Sequence, residues 1–233
     1  MASSSKPLLL YGWPTPNARK VSTFLEELKT AYGVEYDVEG VDLSKRAQKE
    51  PAYIELNPNG RVPTLVDHSR KSFVVFESAA ILLYLQKYYD KENKFGFDPD
   101  RQPEEYSELL QWVLFTHGGL GPVQGQAMFY SKLAPEKIPS VITRFIEETK
   151  RVYGIFEKRL TDRDWLVGPG RGSYTIADMN GIPWIQWHAN CGIDSIDEWP
   201  NIKAWIARAE ARPAFQTGMD LEYTSSLHPR ARL

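Results

Sequence analysis

NPNGRVPTLVD, residues 57–67, and FESAAILLYL, residues 76–85, are the two stretches on which the fold turns. In the first, Asn57, Pro58, Asn59 and Gly60 supply turn chemistry, and Val62-Pro63 then opens the strand Val62–Val66. Proline cannot donate to a sheet ladder, so a strand-opening proline belongs at an edge or follows a cis bond. In the second, the strand Phe73–Phe76 gives way to a helix, Ser78–Tyr89, with Ile81, Leu82, Leu85 and Tyr88 on one face.

Working outward, Leu8-Leu9-Leu10-Tyr11 reads as a buried strand ended by Gly12, Pro14 and Pro16. Val21, Phe24, Leu25 and Leu28 then recur at helical spacing up to Gly33. Val34–Val38 alternates as a strand that Asp42-Leu43 continues, and a short helix covers Gln48–Leu56. The order βαβ, α, ββα predicts an α/β unit with a four-stranded mixed sheet over residues 1–91. Residues 92–102, charged and carrying Gly96 and Pro99, suit a linker. Residues 103–233 read as an all-α C-terminal domain, with helices over 103–131, 136–160, 175–191 and 200–211. Thr175 with Asp178 forms a helix-start pattern, which is a folding signal rather than chemistry. The segment 216–233 is polar, ends in basic residues and is expected to fray.

Composition narrows the function. With 28 Lys and Arg against 30 Asp and Glu, net charge is -2, which argues against nucleic acid or an anionic membrane as the main partner. The single cysteine, Cys191, excludes an intramolecular disulfide and CxxC redox chemistry. No run of about 18 apolar residues predicts a span. Met1–Lys6 has no apolar leader core, so a cytoplasmic location is expected.

Three local features carry chemistry. If Val62-Pro63 is cis, the backbone N–H and C=O of Val62 turn outward and can pair with an extended peptide. The helix start at Ser78 favours a carboxylate, and Glu77 beside it can hold an ammonium, so together they suit an α-amino acid head group. YGWPTPN, residues 11–17, joins the first strand to the first helix. A thiol held at that helix end has its pKa lowered, with Asn17 or Thr15 as hydrogen-bond donor. Each feature alone has a plain structural alternative: a proline at a strand start, a capping serine, or capping Thr15 and Asn17.

YGWPTPN, NPNGRVPTLVD, FESAAILLYL and the later TIADM, at these spacings, resemble the glutathione transferase superfamily over residues 7–212. TPN paired with NPNGRVP, and the segment Gly118–Pro122, resemble its fungal nitrogen-regulator-like and bacterial nu-class branch. The resemblance implies a thioredoxin-like N-terminal domain, an all-helical C-terminal domain and a homodimer. The Ser78 helix and the helix around Trp112 would lie near the two-fold. It implies glutathione as co-substrate and no metal. Val62, before Pro63, would pair with the cysteinyl backbone of glutathione. Glu77 and Ser78 would hold the γ-glutamyl end, and Gln48 and Arg61 would lie near the glycyl end. Asn17 would face the thiol, with Thr15 close by. Trp13, Phe129 and Trp187 are candidate contacts for the second substrate, a small apolar electrophile or a disulfide. The same resemblance also covers a non-catalytic reading, a regulatory or ligand-binding protein on this fold. A yeast transcriptional regulator that resembles the chain in its globular part carries a long Asn/Gln-rich extension, whereas here about six residues precede the first strand.

Overall fold

The computed structural model describes residues 6–224, which divide into two compact units. The first comprises the chain up to Tyr89 together with the segment from Ala214 onward; the second runs from Asp90 to Pro213.

In the first unit, β1 (Leu8–Gly12), α1 (Pro16–Tyr32), β2 (Tyr36–Gly40), α2 (Pro51–Ile54), β3 (Thr64–Asp67), β4 (Phe73–Phe76) and α3 (Ser78–Tyr89) follow in order. The four strands form one mixed sheet, ordered β2-β1-β3-β4. β1 runs parallel to β2, and the β1–β3 and β3–β4 pairs are antiparallel. This is the βαβ, ββα arrangement expected from the apolar pattern.

Leu8, Leu10 and Leu65 from the strands, and Val21, Phe24, Leu25 and Leu28 from α1, are completely buried. At about 25 cal/mol per Å² of apolar surface, that burial dominates the folding of the unit. α1 ends where Gly33 takes a left-handed conformation, φ 69°, and its N–H returns to the Lys29 carbonyl at 2.9 Å. Asp42-Leu43 does not extend β2. Instead the Asp42 carboxylate accepts from the Ser44 N–H and hydroxyl at 2.9 and 2.6 Å, a local turn that competes with the ladder. The helical stretch expected over 48–56 is a 3₁₀ turn, Ala47–Lys49, followed by α2.

The second unit is helical. α4 (Pro103–Phe115) and α5 (Gly121–Met128) form one run from 103 to 133, interrupted by wide turns at Thr116–Leu120 and Phe129–Leu133. α6 (Pro139–Arg159), α7 (Ile176–Ile185) and α8 (Pro200–Glu210) complete it. Phe95 and Phe97 are buried although they lie in the linker stretch, and the Asp90 carboxylate accepts the backbone N–H groups of Lys94 and Phe95, both at 2.8 Å.

Thr175 caps α7, and Asp178 closes the capping box on the Thr175 N–H at 2.8 Å. Asp178 also accepts from the Leu166 N–H at 3.0 Å and the Trp205 indole at 2.8 Å. It ties α7, α8 and the preceding loop together, and burial pushes its pKa up to about 6.

The end of the chain departs from the sequence reading. A further helix, α9 (Pro213–Met219), was not expected, and from Ala214 the chain returns to the first unit. The Ser22 hydroxyl donates to the Gly218 carbonyl at 2.6 Å, and the Gly40 N–H to the Thr224 carbonyl at 2.9 Å. A Cβ on Gly218 would stand 2.3 Å from the Thr23 Cα, and one on Gly12 would stand 2.3 Å from the Tyr223 ring. Both glycines lie at close approaches of residues 214–224, which form a strap on the first unit. The expected fraying therefore does not describe residues 216–224, and residues 225–233 lie outside the described residues.

Candidate glutathione site

The turn Asn57–Arg61 is held from several directions. The Asn57 side-chain oxygen accepts the Asn59 N–H at 3.0 Å, and the Gly60 N–H reaches the Asn57 carbonyl at 2.9 Å. The Arg61 carbonyl accepts both the Tyr53 hydroxyl at 2.7 Å and the Asn57 amide at 2.9 Å. Tyr53 and Asn57 also meet the Thr64 hydroxyl, at 2.9 and 3.1 Å. Both are buried positioning residues; the sequence reading took Asn57 for turn chemistry and passed over Tyr53. Gly60, at φ 60°, brings the turn against Gln48: a Cβ there would stand 2.8 Å from the Gln48 carbonyl oxygen.

This brings Gln48, Arg61, Val62, Pro63, Glu77 and Ser78 to one region of the first unit. Val62-Pro63 is cis. Among the described residues, neither the N–H nor the C=O of Val62 is hydrogen-bonded. Glu77 has φ 70°, and its carboxylate accepts from the Asn59 amide at 3.4 Å, which links the turn to the start of α3.

Two buried polar atoms here are without a hydrogen-bond partner: the Ser78 hydroxyl and the side-chain carbonyl of Gln48. Native proteins satisfy most buried polar atoms, so orphans at one rim mark a place where a polar ligand completes the network. Unpaired backbone groups at Val62, a helix N-terminus with its hydroxyl at Ser78 and an amide at Gln48 fit an extended peptide with carboxylate ends.

Thr15 caps α1: its side-chain oxygen accepts the Ala18 N–H at 3.2 Å. Pro16 opens the helix and Asn17 follows, half-buried, so the Asn17 amide sits in the first turn where the helix end is positive. Tyr11 lies on β1 edge-on to Tyr53 at 6.0 Å, and burial pushes its hydroxyl pKa up. Trp13 is half-buried in the loop between β1 and α1. Phe129 and Trp187 belong to the second unit, on or beside two turns, Phe129–Leu133 and His188–Cys191, that pack on each other.

The family models for the glutathione S-transferase N-terminal and C-terminal domains match residues 6–87 and 122–213. The chain belongs to the glutathione S-transferase family. It is 37% identical to the disulfide-bond oxidoreductase YfcG of Escherichia coli, over 88% of this chain and 91% of that protein. Glutathione S-transferase 1 of Schizosaccharomyces pombe is 38% identical, over 85% and 89%. The crystal structure of the glutathione transferase URE2P8 of Phanerochaete chrysosporium, with oxidized glutathione, superposes with a TM-score of 0.86 at 35% identity, covering 94% of this chain and 96% of that one. Among the described residues, no helix is long and apolar enough to cross a membrane and no cluster of metal-ligating side chains occurs.

Lys20 was missed by the sequence reading. It sits one turn after Asn17 on α1 and is 1% exposed. Burial lowers its pKa from 10.5 to about 7, and the Glu77 carboxylate opposes the shift. A lysine on an amphipathic helix ordinarily reads as solvent-facing, so no local signal gave it away.

Proposed function

We infer that this chain is a glutathione transferase that holds glutathione along Val62, with its head group at Glu77 and Ser78 and its thiol at the start of α1. The observation that carries this is the set of unsatisfied groups on one rim: the Val62 backbone, the Ser78 hydroxyl and the Gln48 amide oxygen. Arg61 supplies positive charge toward the glycyl carboxylate.

The chemistry follows from where the thiol sits. An Asn17 amide N–H donates to sulfur but holds no proton that it can lose at neutral pH, so it favours the thiolate. The α1 N-terminus adds in the same direction. The thiolate attacks one sulfur of a disulfide, forming a mixed disulfide with glutathione and releasing the other sulfur as thiolate, which takes a proton from water. A second glutathione thiolate then attacks the glutathione sulfur of that mixed disulfide. It yields oxidised glutathione and the second product thiol, so two glutathiones supply the two electrons.

No protein sulfur takes part. Cys191 is buried in the second unit, its thiol pKa is pushed up by burial, and it donates to the Trp187 carbonyl at 3.6 Å. The name of the E. coli relative and the oxidized glutathione in the P. chrysosporium structure support disulfide chemistry. Conjugation to an electrophilic carbon uses the same thiolate, and the S. pombe relative supports it.

Trp13, Phe129 and Trp187 are each proposed singly as acceptor contacts; a residue that serves so should, on replacement by alanine, raise KM for the acceptor and leave that for glutathione unchanged. A homodimer in the cytoplasm completes the reading. Phe73, 55% exposed on β4, stacks on Tyr84, and Arg70 covers the Tyr88 ring at 3.8 Å, a surface suited to a second copy of the chain. Light scattering should give twice the 26.7 kDa chain mass, and the monomer mass at every concentration would overturn the dimer.

Turnover of hydroxyethyl disulfide and of a chloronitrobenzene, each with glutathione, tests the activity. Glutathione-dependent reduction of the disulfide is expected. No turnover of either acceptor by a chain that binds glutathione would establish the non-catalytic binding role instead.

A further inference from the structure

Lys20 is enclosed, at 1% exposure, and burial lowers its pKa, so its ammonium lies largely out of water. Long cationic side chains ordinarily carry their charge out to water, and an enclosed one is retained only where something opposes it. The carboxylate whose field reaches Lys20 is that of Glu77, which is itself exposed to solvent. α1, which carries Lys20, packs against α3, which begins at Ser78 immediately after Glu77. Glu77 is therefore a solvent-exposed carboxylate within the field of an enclosed cation. It also adopts φ 70°, a left-handed conformation that a non-glycine residue keeps only when its surroundings hold it there.

We propose that Lys20 is a positioning residue for glutathione, holding the Glu77 carboxylate from beneath so that its outer side receives the ammonium of the γ-glutamyl group. This rests on the glutathione reading given above. The bound head group brings one ammonium and one carboxylate. With Lys20 protonated, the site then holds two cations and two anions, and the ligand carboxylate satisfies the orphan Ser78 hydroxyl. The arrangement gives the enclosed lysine a role that an apolar side chain could not fill. Lys20 touches no reacting atom; it acts through Glu77.

Calorimetric titration of the full chain with glutathione tests this in a four-membered cycle of wild type, Lys20→Met, Glu77→Gln and the double variant. Lys20→Met should weaken glutathione binding by roughly tenfold while Glu77 is present, and by less than about twofold once Glu77 is Gln. Its thermal midpoint should not fall, because a buried charge has been replaced by a methylene chain of similar size. If Lys20→Met does not fold, Lys20→Gln takes its place in the cycle. Equal losses in both backgrounds, or unchanged affinity in a folded Lys20 variant, overturn the proposal alone. No binding by wild type at millimolar glutathione overturns the glutathione reading, and the proposal with it.

Discussion

Replacing Lys20 by Met should make the protein more stable at neutral pH, by an amount that shrinks as the pH rises. In the folded chain Lys20 has its pKa lowered from 10.5 to about 7 by burial, with Glu77 offsetting part of the effect. At about 1.4 kcal/mol per pKa unit, the enclosed ammonium costs roughly 5 kcal/mol when fully charged. Between about pH 7 and 10.5 the unfolded chain binds this proton and the folded chain does not, so wild-type stability rises with pH across that window. Below about pH 7 both states carry the proton and the whole penalty stands. Lys20→Met has no such term. Its advantage should be about 4 kcal/mol at pH 7 and about 2 kcal/mol at pH 9. Urea unfolding of both proteins at the two pH values, followed by far-ultraviolet circular dichroism, measures the gap. Every other titrating group is common to the pair and cancels in the difference. A gap that does not change with pH, or a variant less stable than wild type at pH 7, would refute the reasoning.

Three further outcomes follow from the geometry. Ser78→Ala should raise the glutathione Kd about tenfold or more by calorimetry, with a smaller effect on turnover at saturating glutathione, because a charge-assisted hydrogen bond to the ligand is lost. Asp178→Ala should destabilise the protein by at least about 3 kcal/mol in urea unfolding, since the N–H groups of Leu166 and Thr175 and the Trp205 indole all lose their acceptor. Gly218→Ala should loosen the strap, because its Cβ would meet the Thr23 Cα at 2.3 Å; limited proteolysis should then cut near residue 220 faster than in wild type.

What could be read from the sequence was local. The Thr175–Asp178 box, the Ser78 helix start and the Asn57–Pro63 turn each declare themselves within a few residues, since capping and turn chemistry act over that range. Glu77 was legible beside the Ser78 helix start and Gln48 was reachable by resemblance, and the structure adds that the Gln48 amide oxygen is an orphan beside the turn. Lys20, Tyr53 and the strap were not legible. Lys20 is enclosed by packing that its own helix does not encode, and Tyr53 matters through bonds to Arg61 and Thr64. The strap depends on Gly12 and Tyr223 meeting from opposite ends of the chain. Asp42-Leu43 misled because alternation continued past the point where the Asp42 side chain had already turned the backbone.

The central claim is that the start of α1, through Asn17, turns bound glutathione into a thiolate. Thiolate absorbance of the glutathione complex, titrated against pH for wild type and Asn17→Ala, tests it most directly. The bound thiol of wild type should titrate within roughly 3.5–7.5, the range of thiols at helix N-termini, against about 8.5 for a free cysteine thiol, and Asn17→Ala should move it back up. A bound thiol that titrates as free glutathione does, or one that Asn17→Ala leaves unchanged, would contradict the account.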